Sequence, residues 1–279
     1  MVCQMDFAKT WDGKSRLDLV YKKTPQRDLM LTFLPPIEKK YTKAPVYFLI
    51  PGGGWHVASR QSMIDFSAQS VEFLRKEGFA VVGVDYRVCK DGATMREMIT
   101  DCFDGARYVA HFADALQIDK DRFVTSGHSA GGHLALMLAY APQENFQSGY
   151  EFNDDFHVKV TAVMSPPTIL HDNGMHNLRD IDDAFVGAEK GEKEKNSPIS
   201  YVTRGCPPTF LSAGTSDYLV FANSSEMLYQ KLCGCGVECE LVLSIGGGHC
   251  FEQIHGCLKP SISMEEVQDA LSRFIMKHI

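Results

Sequence analysis

Gly127-His128-Ser129-Ala130-Gly131-Gly132 stands between a short apolar run, Phe123 to Thr125, and an apolar stretch with helical character, Leu134 to Tyr140. Taken alone, G-x-S-x-G is a weak signal. With a strand before it and a helix after it, the motif predicts a sharp turn that strains the serine backbone and exposes Ser129 Oγ at the sheet edge. Gly127 and Gly131 supply the small neighbours that let the chain pass closely. The helix that follows opens with unpaired N–H groups and a positive dipole end, so the Ala130 N–H is a candidate donor to an oxyanion. The competing reading, an ordinary glycine-rich turn, leaves the flanking strand and helix without a role.

A serine hydroxyl is a poor nucleophile near neutral pH. It needs a base to accept its proton and a carboxylate to orient that base. Asp217 follows the apolar run Thr209 to Leu211 in Ala213-Gly214-Thr215-Ser216-Asp217, and His249 follows Glu240 to Leu243 in Gly246-Gly247-Gly248-His249. Both are expected just beyond strand C-termini, and the order Ser129, Asp217, His249 is the one this arrangement requires. As bases, His128 and His133 flank the serine too closely to face it, His255 lies further along the same loop, and His278 sits in a terminal helix. Asp172, Asp182 and Asp183 have no buried strand before them and read as solvated charges. Cys250, beside His249, has no elbow around it and reads as a packing cysteine.

Working outward, Val46 to Ile50 is a continuous apolar run ending in Pro51 and three glycines, which suits a strand covered on both faces. Ala80 to Val84, Val160 to Met164, Thr209 to Leu211 and Glu240 to Leu243 are similar, and helix-length segments separate them. Arg16 to Tyr21 and Leu29 to Leu34 alternate like half-exposed strands of an antiparallel edge. Thr94 with Glu97 and Ser263 with Glu266 form capping boxes ahead of amphipathic helices. Alternating strands and helices imply an α/β fold: a mostly parallel sheet, helices on both faces, ligands at the strands' C-terminal edge. Two stretches break the alternation, about 142–157 and 166–205, and are read as lid-like insertions over the site.

The 279 residues, 44% hydrophobic, are compatible with a single domain spanning residues 1–279. A net charge of −7 with 23% charged residues argues against a polyanion-binding surface, so nucleic acid is not an expected partner. Met1 to Lys22 carries interspersed charges where a signal peptide needs an apolar core, and no stretch resembles a membrane span. Together with an odd count of nine cysteines, this leads to a cytoplasmic expectation. Cys233, Cys235, Cys239, His249, Cys250, His255 and Cys257 crowd one region, but their spacing does not make the knuckles of a zinc site, so no metal or cofactor is expected. Oligomeric state is not legible.

Pro51-Gly52-Gly53-Gly54-Trp55, directly after a strand, places backbone N–H groups where a substrate carbonyl can approach them without side chains between. Here the chain resembles the esterase/lipase group of α/β-hydrolases with an H-G-G-G-W motif, the hormone-sensitive-lipase-like and feruloyl-esterase-like carboxylesterases. The likeness runs from about Leu17 to the C-terminal helix and includes Asp85-Tyr86-Arg87. It implies an α/β-hydrolase fold, oxyanion donors at Gly53, Gly54 and Ala130, and a small-molecule ester substrate. Trp55, His128 and Tyr218, next to these groups, are the expected substrate contacts. Pro51 departs from the motif, standing where the group has histidine. The chemistry so implied is acyl transfer on esters of short or aromatic acids. Formamide or amide hydrolysis by the same machinery is an alternative, and a non-catalytic binding protein on the same fold is another.

Overall fold

The computed structural model describes residues 7–171, 179–185 and 188–279. Among them the strands are β1 Leu17–Lys23, β2 Asp28–Leu34, β3 Ala44–Ile50, β4 Ala80–Val84, β5 Ile118–His128, β6 Val158–Met164, β7 Thr209–Gly214 and β8 Cys239–Ser244. They form one sheet in the order β1-β2-β4-β3-β5-β6-β7-β8. β1 pairs antiparallel with β2 and β2 antiparallel with β4, while the remaining pairs, from β4 to β8, are parallel. The α-helices are α1 Phe7–Thr10, α2 Arg60–Phe66, α3 Ala68–Lys76, α4 Met95–His111, α5 Ala113–Leu116, α6 Ala130–Tyr140, α7 Glu192–Lys195, α8 Ala222–Gly234 and α9 Met264–His278.

β3 is buried along its whole length because its side chains divide between two cores. Val46, Phe48 and Ile50 join the core beneath α4, α6 and α8, whereas Tyr47 and Leu49 join the core beneath α2, α3 and α9. This is the period-two alternation of a strand with a helical layer on each face. Both expected capping boxes form: Thr94 and Ser263 accept from the backbone of Glu97 and Glu266, whose carboxylates return to the cap amides.

The two breaks in alternation behave differently. Segment 142–157 packs on α4, away from the cleft. Phe146 stacks on Phe103 at 5.3 Å and 6°, Phe156 lies 5.3 Å from Phe123, and Arg107 donates to the carbonyls of Gln143 and Phe146. Phe146 and Phe156 are buried in the core and no residue of 142–157 lines the cleft that holds Ser129, so the expectation that this stretch lies over the site is corrected. In the second stretch, His133 Nε2 meets the Asn196 carbonyl at 2.7 Å, and Asp183 meets His56 at 3.0 Å beside the glycine loop. No helix among the described residues is long and apolar enough to cross a membrane.

Candidate active site

Ser129 sits where β5 turns into α6, with φ +56° and ψ −126°. Side chains avoid this region, and the close packing around the turn enforces it. A Cβ on Gly127 would come within 2.4 Å of the Gly131 backbone, and one on Gly131 within 2.1 Å of the Ile50 carbonyl oxygen. Only glycines let the elbow nest against the end of β3. Ser129 N donates to the Met164 carbonyl at 2.9 Å, which ties the turn to β6 as well.

Asp217 follows β7 and His249 follows β8, as their positions in the sequence imply. His249 Nδ1 and Asp217 Oδ2 are 2.6 Å apart. Asp217 Oδ1 accepts from the amides of Leu219 and Val220 at 2.8 and 3.0 Å, so three N–H groups converge on one buried carboxylate and fix its plane. The two loops lie against each other: Ser216 N donates to Gly247 O at 2.9 Å, and a Cβ on Gly214 would sit 2.3 Å from the carbonyls of Gly247 and Gly248. Ser129 and His249 both line one cleft. Among the described residues no hydrogen bond joins Ser129 Oγ to the ring of His249, whose Nδ1 is taken by Asp217.

The glycine loop takes φ values of +126° at Gly53, +59° at Gly54 and +61° at Trp55. A Cβ on Gly52 would meet the His128 carbonyl oxygen at 2.6 Å, so this glycine lets the loop lie against the end of β5. Among the described residues, the amides of Gly53, Gly54 and Ala130 have no acceptor in the protein. Gly53 and Gly54 line the cleft that holds Ser129, and Ala130 follows Ser129 directly at the first turn of α6; unpaired backbone donors so placed are the chemistry an oxyanion needs. The Asp85-Tyr86-Arg87 segment holds this loop in place. Tyr86 Oη donates to Pro51 O at 2.9 Å, Arg60 at the start of α2 donates twice to Asp85, and Arg87 Nε reaches Asp101 of α4 at 2.8 Å.

Of the three expected substrate contacts, the structure brings one to the cleft. His128 lines it. Trp55 does not: the positive φ turns its indole into the core, where it is 1% exposed and packs edge-on against His133, so its expected role as a substrate contact is corrected. Tyr218 is 59% exposed and outside the cleft lining, and its neighbour Leu219 stands there instead. Sequence reasoning missed the wall opposite, made by Val57, Ala58, Met63 and Phe66 on and before α2. Met63 and Phe66 at i and i+3 give the signal any core-facing helix gives. Asp183 and Asp182 pair with His56 and Lys193, away from His249, and Asp172 lies outside the described residues. His255 is exposed. The cleft encloses about 480 Å³, and no lysine, arginine, aspartate or glutamate is among the described residues lining it.

His128 is nearly buried, with its ring 4.6 Å from that of His249. Burial, and then the neighbouring His249, push its pKa from about 6.5 down to about 4, while the His249 carbonyl and Asp217 pull weakly the other way. The unfolded chain therefore binds a proton at this position that the folded chain refuses. Stability contributed by the neutral ring is complete above pH 6.5 and is lost as pH falls toward 4, at most about 3 kcal/mol. Thermal melts of wild type between pH 6.5 and 4 are expected to fall more steeply than those of His128→Gln. Equal slopes would mean that His128 is protonated in the folded protein as readily as in the unfolded one.

Comparison with known proteins places these features in context. A model of the BD-FAE family matches residues 31–232. Non-reducing polyketide synthase trt4 of Aspergillus terreus is 26% identical over 339 aligned residues, which cover 92% of this chain and 14% of that protein. Isoprenylcysteine alpha-carbonyl methylesterase ICME of Arabidopsis thaliana is 26% identical over 260 residues, covering 88% of this chain and 59% of that one. The chain thus spans a small part of the synthase and somewhat over half of the methylesterase. Among solved structures, a thermophilic esterase of Thermogutta terrifontis with propionate bound superposes with a TM-score of 0.76 at 23% identity, over 96% of each chain. That likeness is one of fold.

Proposed function

Starting from the BD-FAE family of feruloyl-esterase-like α/β-hydrolases, to which this carboxylesterase-type chain belongs, we propose that it cleaves neutral esters of short or aromatic acids through an acyl-enzyme on Ser129. The observation that carries this reading is the convergence of Ser129, from the β5 elbow, and the 2.6 Å pair of His249 and Asp217, from the ends of β8 and β7, on one apolar cleft. Ser129 Oγ attacks the ester carbonyl carbon as His249 Nε2 takes its proton. The oxyanion accepts from the amides of Gly53, Gly54 and Ala130. Collapse expels the alcohol, which leaves with the proton from His249. Water then attacks acyl-Ser129, and the same base takes and returns its proton. Asp217 keeps the proton of His249 on Nδ1, so that Nε2 faces the serine as an acceptor.

The absence of charged side chains among the cleft's described lining favours neutral substrates, because a charged acyl group would lose its hydration without finding a partner. A series of nitrophenyl esters of increasing acyl length, with a charged acid and an aryl formamide included, tests the substrate class. Hydrolysis of neutral esters well above the succinyl ester and the formamide is the expected result. Preference for the formamide would move the assignment to amide chemistry.

Pro51 enters this account through its carbonyl, which accepts from Tyr86, and any residue supplies that group. Losing one oxyanion donor typically costs about a hundredfold to a thousandfold in turnover, and Pro51→His keeps all three. It is expected to change turnover by well under a hundredfold. If folded Pro51→His enzyme fell to the level of Ser129→Ala, the three-amide oxyanion hole would have to be given up.

A further inference from the structure

The backbone of His249 is held in an unusual way. The loop from Ile245 to Ile254 is irregular, and its internal bonds join Gly247 to Ser244, Gly248 to Glu252 and Phe251 to Gly248, passing over His249 itself. The carbonyl of His249 instead accepts two side-chain donors from other strands. His128 Nε2, on the last residue of β5, lies 2.9 Å away, and Ser165 Oγ, just after β6, lies 3.0 Å away. A carbonyl can only accept, so His128 must carry its proton on Nε2. The His128 ring is in turn wedged between Phe66 at 4.8 Å and His249 at 4.6 Å, which leaves it little freedom to turn. The nearest competing acceptor is Cys250 Sγ, 3.9 Å from the same nitrogen. A thiol sulfur is a weak acceptor, and Cys250 is otherwise exposed to solvent.

We propose that His128 is a positioning residue: its Nε2–H, with the Ser165 hydroxyl, clamps the main chain of His249 so that the ring keeps its bond to Asp217 and its approach to Ser129. The inference rests on the reading of His249 as the base. The clamp joins the base to the strand that presents the nucleophile, because His128 and Ser129 are consecutive residues. Any shift of the elbow is therefore passed to the base, and the two reacting groups move together. A misplacement of about 1 Å at such a contact costs on the order of a hundredfold in rate.

The test compares His128→Leu, His128→Gln and Ser165→Ala with wild type and His249→Ala, measuring kcat and KM on one nitrophenyl ester, with circular dichroism melts to establish folding. His128→Leu is expected to lower kcat by about tenfold to a hundredfold with KM within about threefold of wild type. His128→Gln, which returns an N–H donor near the same point, is expected to restore most of the loss. A purely structural role would not produce that rescue. An unchanged kcat in folded His128→Leu would overturn the proposal, as would a His128→Gln variant no better than leucine. A change in KM alone would make His128 a substrate contact instead. Should His128→Leu fail to fold, Ser165→Ala decides: a kcat loss of severalfold is expected, and none would count against the clamp. An active His249→Ala would instead defeat the base assignment, whatever the His128 variants do.

Discussion

Replacing Ser129 by alanine is expected to lower turnover of a short-chain ester by at least roughly a thousandfold while the protein melts as wild type does. The elbow is held by backbone: the Ser129 amide bonds to Met164 O, and Gly127 and Gly131 pack against each other and against Ile50. Alanine keeps the Cβ at the strained φ of +56° and removes only the oxygen, so the loss falls on chemistry and not on folding. Some rate above the uncatalysed reaction remains, because the three amides still polarise the carbonyl for attack by water. Steady-state turnover with circular dichroism on the same samples checks this. Near-native activity in the folded variant would remove Ser129 from the mechanism.

His249→Ala is expected to be about as damaging, because members of such a constellation act as a unit and the serine without its base is only an alcohol. Asp217→Asn is expected to be severe but milder, since the amides of Leu219 and Val220 still hold its side chain near the ring. The control is His255→Ala. His255 is exposed, whereas His249 is held to Asp217 at 2.6 Å, so turnover by His255→Ala is expected to stay near wild type. Inactive His255→Ala together with active His249→Ala would reverse the assignment.

The middle of the sheet was legible because strands such as β3, β4 and β7 are buried on both faces, and such strands write themselves as unbroken apolar runs. β3 and β4 match the sequence reading closely. β5 does not: it begins at Ile118, five residues before the apolar run, because Asp119 to Arg122 are polar residues at the strand's exposed entrance. Similarly α6 begins at Ala130, while Gly131 and Gly132 hide its first turn. Both are poor helix formers; Gly131 is kept for the close approach of the Ile50 and Pro51 backbone and Gly132 packs against Pro166 and the Gly127 carbonyl, requirements visible only once the strands are assembled.

The residues of the site were legible for the same reason that they are limited in kind. Ser129, Asp217 and His249, proposed as nucleophile, acid and base, each follow a strand, and glycine marks the tight turn beside each. The cleft wall was not legible, since Met63 and Phe66 occupy helical positions that read equally well as core. Trp55 went the other way. Its place in the motif suggested a substrate contact, but the left-handed turn at φ +61° sends the indole inward. The clamp on the His249 carbonyl could not be read at all, because it joins side chains 84 and 121 residues away from it in the chain.

The most direct test of the account is covalent labelling. A fluorophosphonate probe is attacked by the activated serine as an ester would be, and mass spectrometry of the digested protein locates the adduct. One equivalent is predicted on the peptide carrying Ser129, with ester turnover lost in proportion, no adduct in Ser129→Ala and slow labelling in His249→Ala. An enzyme that hydrolyses esters yet carries the adduct on another residue, or none on Ser129, would contradict it.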